Sequence, residues 1–448
     1  MRIVLNLLLL VGLMLASPWL LYRGIRSGGW RDLPARFGLR RFPPCAVWLH
    51  GSSVGEVRLL APLVALLEDH GVSVAISSHT ASGVQSAKLA YPNHFVFRFP
   101  FDFSFVQRRV MSKLGAGVIV VVESDLWPNQ LLTAQSLGIK LAIVNGKLSA
   151  RSARLHRMSG FVPRALEQID VVAVQTEQHA ERFASLGVAP EQINVTGNMK
   201  YDLTVDATGS EQRLAIRRRL SYATSDCVVI GGSLHPQEDE DLVAAFAATS
   251  SGAPVTRLII VPRYPEQAAA VVASLARHGY AAVLKSVLDA RSDRKVAPDE
   301  VVVVDTLGEL RSFYAAADIV FVGGSLYFRG ANKGGHNLME PAILGLPVIF
   351  GPHNFSFRET VAALLAADAG IVVHDRDELA GALGKLVESA ELRDAMGQRA
   401  RQVVIDGQGA SLRNFELLLP LIDSKAACRV QADQAQCRHD PESRMVNE

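Results

Sequence analysis

Cysteine is scarce in this chain. The four present, Cys45, Cys227, Cys428 and Cys437, are scattered over 448 residues. No two form a Cys-x-x-Cys pair, which excludes a zinc ribbon and a disulfide-stapled scaffold and fits a reducing compartment. Charge of one sign is also missing, since 46 Lys and Arg face 44 Asp and Glu. The basic surface of a nucleic-acid binder is therefore absent, and no nucleic-acid partner is expected. There is no Walker loop and no strict Gly-x-Gly-x-x-Gly behind a strand. Asp239-Glu240-Asp241 and Asp375-Arg376-Asp377 read as a solvated helix start and a polar turn, so no metal site is expected. Hydrophobic residues make up 49% and charged residues 20%, which excludes a disordered chain. The length implies two or three domains of about 100–200 residues each.

Charge is wholly absent from Ile3 to Tyr22. Twenty residues at about 1.5 Å each span about 30 Å, the thickness of a bilayer core. A signal peptide is disfavoured, because Leu15-Ala16-Ser17 is a poor cleavage site and Pro18-Trp19 follows it. Arg23, Arg26, Arg31, Arg36, Arg40 and Arg41 come next, offset only by Asp32. By the positive-inside rule they keep the body cytoplasmic. The same arginines attract anionic headgroups, at about 1 kcal/mol each near the surface. The expectation is a single transmembrane anchor over residues 1–26 in contact with membrane lipids. An interfacial helix fits less well, because the stretch has no polar face.

Beyond the anchor, short β-branched runs alternate with amphipathic stretches. Runs at Val47–His50, Val72–Ser77, Phe95–Phe99, Val118–Val122, Leu141–Asn145, Val171–Gln175 and Asn194–Thr196 read as one series of strands. A polar stretch, Tyr201–Ser225, interrupts it. A second series follows at Cys227–Gly231, Arg257–Val261, Ala281–Leu284, Val301–Asp305, Ile319–Gly323, Pro347–Phe350 and Gly370–His374. Runs without polar alternation suit parallel strands covered on both faces. Two doubly wound Rossmann-like α/β domains are predicted, 27–205 and 206–422, with a flexible tail over 423–448. Ligands of such sheets bind beyond the strand carboxyl ends, so the predicted site is a cleft the two domains face.

The strand ends carry the candidate chemistry. Ser53-Val54-Gly55-Glu56 follows the first strand and has capping-box spacing, so Glu56 either satisfies backbone or serves as a base at the cleft. Glu123 directly follows Val118–Val122, where an unpaired charge is costly. Lys200 is a linker lysine or a partner for a substrate anion. Arg263, in Pro262-Arg263-Tyr264-Pro265, is a surface residue or a phosphate fork. Thr306-Leu307-Gly308-Glu309 again has capping-box spacing. Gly323-Gly324-Ser325 and Gly334-Gly335-His336-Asn337 precede a helix read at Leu338–Leu344, where glycines let backbone N–H groups approach an anion.

Together these strings resemble the 3-deoxy-D-manno-octulosonic acid (Kdo) transferases of lipopolysaccharide assembly. Ser-Val-Gly-Glu56, Leu-Trp-Pro-Asn129, Asn145-x-x-Leu-Ser-x-Arg-Ser152, Thr-Gly-Asn198 with Lys200, and His235-Pro236 belong to that pattern. Val-Pro-Arg263, Gly308-Glu309, Gly-Gly-His-Asn337 and Gly351-Pro-His353 complete it, in the family's order, within about Arg23 to Leu419. The chain departs at Glu123-Ser124-Asp125 for Glu-Thr-Glu and at Lys147 for an arginine. Tyr264 stands in place of a histidine, and the loop Tyr327–Lys333 is longer.

The resemblance implies a GT-B fold and transfer of Kdo from CMP-Kdo to the glucosamine disaccharide of a lipid A precursor. It implies an inverting, metal-independent reaction with no cofactor, at the cytoplasmic side of the inner membrane. Glu56 becomes the general base, and Glu123 with Lys200 the pair that stabilises the transition state. Pro262, Arg263, Leu307, Gly308, Glu309, Asn337, Leu338, Met339 and Glu340 become the CMP pocket. The alternatives are a GT-B enzyme using another nucleotide sugar, and a catalytically silent membrane-anchored sugar-nucleotide binder.

Overall fold

The computed structural model describes residues 2–27, 32–203, 209–249, 255–291, 293–330 and 334–422. The tail 423–448 and residues 331–333 of the long loop lie outside them. The chain divides into two compact units, Met1–Leu203 with the stretch from Gln408 onward, and Thr204–Gly407.

The first unit is built on β1 (Val47–His50), β2 (Val74–Ser78), β3 (Phe95–Arg98), β4 (Val118–Val122), β5 (Lys140–Gly146), β6 (Val171–Val174) and β7 (Ile193–Val195). They form one parallel sheet in the order β3-β2-β1-β4-β5-β6-β7. The strands of the second unit are β8 (Cys227–Leu234), β9 (Thr256–Pro262), β10 (Ala281–Leu284), β11 (Glu300–Val303), β12 (Ile319–Val322), β13 (Val348–Phe350) and β14 (Gly370–Val372). Their order is β10-β11-β9-β8-β12-β13-β14, again parallel. Each β-branched run read from the sequence carries one of these strands. The central ones are buried from end to end, as Val118–Val122 illustrates, because helices cover both faces. In the second sheet β11 also inserts between β9 and β10. The order turns about between β1 and β4 in the first sheet and between β8 and β12 in the second. There the loops leaving neighbouring strands diverge and open a crevice at the carboxyl edge.

Two expected boundaries shift. The polar stretch after Leu203 is not simply a linker, since it contains the helix Gly209–Leu220. Its polarity reflects buried pairing. Arg217 is 2% exposed, and Arg213 and Arg217 both grip Asp318, the residue that opens β12. Residues 408–422, expected in the second domain, pack on the first. The Asp202 carboxylate accepts from Gly409 N at 2.6 Å and Ser411 N at 2.5 Å, capping the helix Ala410–Leu418. Arg413 and Asn414 bond the backbone and hydroxyl of Thr196. The sequence carries little sign of a return contact made by capping.

The bilayer-spanning anchor is not supported. Among the described residues no helix is long and apolar enough to cross a membrane. The helix Arg2–Ser27 is also tied down at its start. Asn6 donates to Ser104 Oγ at 2.8 Å, and its Oδ1 accepts from Ser104 N at 3.0 Å and Asn129 Nδ2 at 3.1 Å. Arg2 reaches Ser136 Oγ. The first turns therefore bond to the first unit, through residues of the helices that follow β3 and β4. Ile3, Leu7, Met14 and Leu15 remain more than half exposed.

Asp202→Ala should leave the N–H groups of Gly409 and Ser411, at the start of the last α-helix, without their acceptor. We expect a loss of about 1–2 kcal/mol in the first unit. Hydrogen exchange should show faster exchange in Ala410–Leu418 and no change in β8–β14.

Candidate functional site

In the first unit the candidates gather at the carboxyl edge of the sheet, around the β1/β4 reversal. Ser53 caps the helix Val54–Leu59 through Glu56 N, as the capping-box spacing predicts. The Glu56 carboxylate reaches one residue further back than expected. Ser52 N donates to it at 2.7 Å, and the hydroxyls of Ser52 and Ser53 donate at 2.9 Å. Capping and a fixed carboxylate are thus one arrangement. The same helix touches the 3₁₀ turn Met199–Leu203, which carries Lys200.

Glu123 ends β4 with φ 59°, and Asn145 ends its neighbour β5 with φ 53°. Left-handed backbone costs a residue with a side chain, of order 1–3 kcal/mol, and persists only where surroundings impose it. Here they do. Asn145 is fully buried, its Oδ1 accepts from Met199 N at 2.9 Å, and its amide points to Glu123 Oε1 at 3.5 Å. Asn145 is thereby a strut between Glu123 and the turn that bears Lys200. In the sequence Asn145 stands out only within a family string.

A second brace has no signature in the sequence. His50, the last residue of β1, is wholly buried and its Nε2 meets Asp125 Oδ2 at 2.8 Å. Its Nδ1 lies 2.9 Å from Ser77 Oγ, which takes the Trp48 indole N–H at 2.7 Å. Trp48, Ser77 and His50 thus form one buried chain of hydrogen bonds that ends on Asp125. Burial opposes the Asp125 charge, but the contact with His50 prevails and holds its carboxyl below the usual range. The loop from Glu123 to Trp127 is therefore clamped to β1.

In the second unit the candidates lie at the corresponding edge. Arg263 follows β9 and is exposed, with its guanidinium 5.2 Å from the Tyr264 ring. Glu309 does not complete a capping box with Thr306. It is itself the first cap residue of the helix Leu310–Ala316, bonded to the Thr306 hydroxyl and to Lys285 Nζ at 2.6 Å. Leu307 is 78% exposed and Gly308 has φ 85°. Leu338 and Met339 are core residues, buried in backbone and side chain alike. Asn337 Oδ1 accepts from Met339 N at 3.1 Å and its amide donates to Glu340 Oε1 at 3.1 Å. Burial raises the Glu340 carboxyl above its ordinary value, against the pull of Asn337 and Arg311.

The keystone of this edge is Glu238, which nothing in the sequence singles out. The acidic run beginning there is a helix start that is solvated only in part, since Glu240 is exposed but its neighbours before it are not. Glu238 is fully buried and Asp239 is 8% exposed. One Glu238 oxygen accepts from Ser325 N and Leu326 N at 2.9 Å. The other accepts from Gly324 N at 2.7 Å and His235 N at 3.0 Å. One carboxylate thus joins the loops after β8 and β12 across the reversal. A side chain at Gly324 would meet His336 at 2.7 Å, so the glycine there is required. His336 Nε2 meets His235 Nε2 at 3.1 Å, a contact that holds one proton between two rings. Burial, His235 and the nearby arginines pull His336 down to about 4.

The carboxyl edge of the first sheet is thus rich in carboxylates with a lysine and that of the second in glycine loops with an arginine, each on a parallel α/β sheet, the architecture of a GT-B-type protein. Solved structures with this fold include the UDP-GlcNAc 2-epimerase of Neisseria meningitidis at TM-score 0.57 and 13% identity, covering 84% of this chain and 99% of that one. Anabaena HepE in complex with UDP matches at TM-score 0.55 and 15% identity, over 84% and 98%. They establish the GT-B-type fold. Residues 31–203 match the family described as 3-deoxy-D-manno-octulosonic-acid transferase, and residues 284–403 match glycosyl transferases group 1. The 3-deoxy-D-manno-octulosonic acid transferase of Haemophilus influenzae is 31% identical over 85% of this chain and 88% of its own. That of Bordetella pertussis is 32% identical over 89% and 94%. The chain belongs to the 3-deoxy-D-manno-octulosonic acid transferase family.

Glu238→Gln places an amide N–H₂ against two buried backbone donors. At about 1–3 kcal/mol for each orphaned donor, we expect the second unit to lose about 2–6 kcal/mol in denaturant unfolding. The histidine pair sets a pH dependence. His336 binds its proton less readily folded than unfolded, so stability is complete above about pH 6.5 and falls as pH drops toward about 4. His336→Asn should flatten that window in thermal melts recorded between pH 4 and 7.

Proposed function

We propose that the protein transfers Kdo from CMP-Kdo to a glucosamine hydroxyl of a lipid A precursor, with inversion and without a metal. The observation that carries this reading is the convergence of Glu56, Glu123 and the Lys200 turn at one edge of one sheet, in a chain whose relatives are named for Kdo transfer.

In this reading Glu56 takes the proton as the acceptor oxygen attacks the anomeric carbon. A new carbon–oxygen bond forms, the bond from that carbon to the CMP phosphate breaks, and CMP leaves with the electron pair. A carboxylate fixed by three donors loses little in orientation when it accepts the proton. Glu123 faces the positive charge that develops on the sugar ring, and Lys200 the carboxylate that Kdo carries. In the second unit Arg263 suits a single phosphate, and the backbone after Gly334 suits its remaining oxygens. Glu309 and Glu340 are acceptors matched to ribose hydroxyls or a cytosine amino group. CMP has only one phosphate to neutralise, so a cation need not accompany it.

We further propose that the body lies at the cytoplasmic face of the inner membrane. The exposed side of the N-terminal helix would hold it there, with the arginines that follow.

Glu56→Gln tests the base directly. It keeps the volume but offers Ser52 N a poorer acceptor, so a small stability loss is expected. The catalytic reading requires turnover to fall by about 10²–10⁴ while CMP-Kdo still binds. Near wild-type turnover would remove Glu56 from the chemistry. For the metal, EDTA should leave the rate within about twofold of untreated enzyme, the scale below which differences carry under 1 kcal/mol. A collapse reversed by magnesium would overturn that part.

A further inference from the structure

The first unit holds a second cavity that the proposed chemistry does not use. It measures about 310 Å³, at the lower end of the range for ligand pockets, about 300–1,000 Å³. One wall is the N-terminal helix, through Leu8, Leu9, Gly12 and Leu13. The other is aromatic, with Phe99, Phe101, Phe103 and Trp127. Three polar side chains, Arg36, His79 and Asp102, also reach it.

The charges decide what the pocket accepts. Asp102 is committed, because its carboxylate caps the helix Pro128–Ser136 through Asn129 N and Gln130 N. Asp125 is held by His50, and Asp32 pairs with Arg98 at 3.4 Å. Burial, Arg36 and further neighbours hold the His79 imidazole below its ordinary value, against Asp125, and its Nδ1 has no hydrogen-bond partner among the described residues. Arg36 is different. Its Nε donates to Phe99 O at 3.2 Å and its guanidinium lies 3.9 Å over Phe101. Its terminal nitrogens have no protein oxygen among the described residues. Burial and Arg98 pull it down to about 10 although Asp32 favours its charge, a cost that a further anion would relieve.

The position matters as much. The pocket is lined by residues that follow β2, β3 and β4, on the edge where Glu123 ends β4. Trp127, in its wall, is four residues beyond Glu123 and stacks on His79 at 5.3 Å. The exposed apolar side of the same N-terminal helix continues outward from it. A mostly apolar pocket beside a half-buried arginine fits part of an acyl chain attached to an anionic headgroup.

We propose that this pocket binds an acyl chain of the acceptor, with Arg36 meeting acceptor phosphate. The inference rests on the acceptor being an anionic acylated glucosamine lipid, and it assigns the N-terminal helix a substrate-binding wall as well as a membrane contact.

Gly12 offers the test, since a Cβ there meets nothing within 4 Å and a phenylalanine would fill the pocket. The full-length chain is assayed with two acceptors, the acylated glucosamine disaccharide bisphosphate and its fully deacylated form. Gly12→Phe should lower kcat/KM for the acylated acceptor about tenfold or more and leave the deacylated acceptor and CMP-Kdo KM unchanged. Arg36→Met should weaken both acceptors, since deacylation leaves the phosphates in place. Binding supplies a readout independent of turnover. Acceptor carrying brominated chains should quench the fluorescence difference between wild type and Trp127→Phe, and Gly12→Phe should abolish that quenching. For Gly12→Phe an equal loss on both acceptors, or no loss on either, overturns the proposal, as does full activity of Arg36→Met on both. So does quenching by brominated phospholipid vesicles but not by brominated acceptor, which would make the pocket a bilayer-lipid site. If wild type turns over neither acceptor yet binds the brominated one, the pocket assignment stands and the Kdo-transfer reading fails.

Discussion

Parallel strands covered on both faces leave only their ends for polar chemistry. That constraint orders this protein. A charge inside Val118–Val122 would be desolvated with no partner, whereas one residue further on Glu123 can be held by Asn145 and reach solvent. The same holds for Glu56 after β1, Arg263 after β9 and the glycine loop after β12. Within each unit, the crevice at the strand-order reversal sets which of these ends can share a ligand.

Holding polar groups at strand ends has a conformational cost, and its distribution is informative. Among the described residues six with side chains adopt positive φ, and four of them, Glu123, Asn145, Ser233 and Gln237, sit just beyond or at the end of β4, β5 and β8. Backbone there is turned sharply so that a side chain or an N–H points along the strand axis. Buried hydrogen bonds oppose the strain. Asn145 is bonded through both its amide groups, and Glu238 receives four backbone N–H groups beside Ser233 and Gln237. The two units solve one problem with different residues: an amide strut in the first, a buried carboxylate in the second.

Much of this was legible in the sequence because strands advertise themselves. Fully buried parallel strands are unbroken apolar runs, so β1 and β4 coincide with the runs read there. Their ends name the site candidates. What was not legible depends on partners distant in sequence. Glu238 looks like one more acid in a charged helix start until Gly324, Ser325 and Leu326, nearly ninety residues on, are placed against it. His50 looks like a strand-end histidine until Asp125 arrives. The capping box at Thr306 has the right spacing yet fails, because Lys285 competes for the Glu309 carboxylate with a full charge. Likewise the helix Gly209–Leu220 was hidden by arginines whose partner, Asp318, lies about a hundred residues away.

The N-terminal helix shows where periodicity misleads most. Hydropathy alone does not show what a charge-free helix packs against, and here a single asparagine does. Asn6 sits in an apolar run where an unpaired amide would be costly in lipid. Placed against Ser104 and Asn129 its donors and acceptor are satisfied, and it supplies the cap that Phe103 cannot give the helix Ser104–Leu114. That contact fixes the helix over the aromatic loop after β3 and so creates the wall of the apolar pocket. An apolar segment that would otherwise only locate the protein becomes, through one amide, part of the surface beside the carboxyl edge of its first sheet.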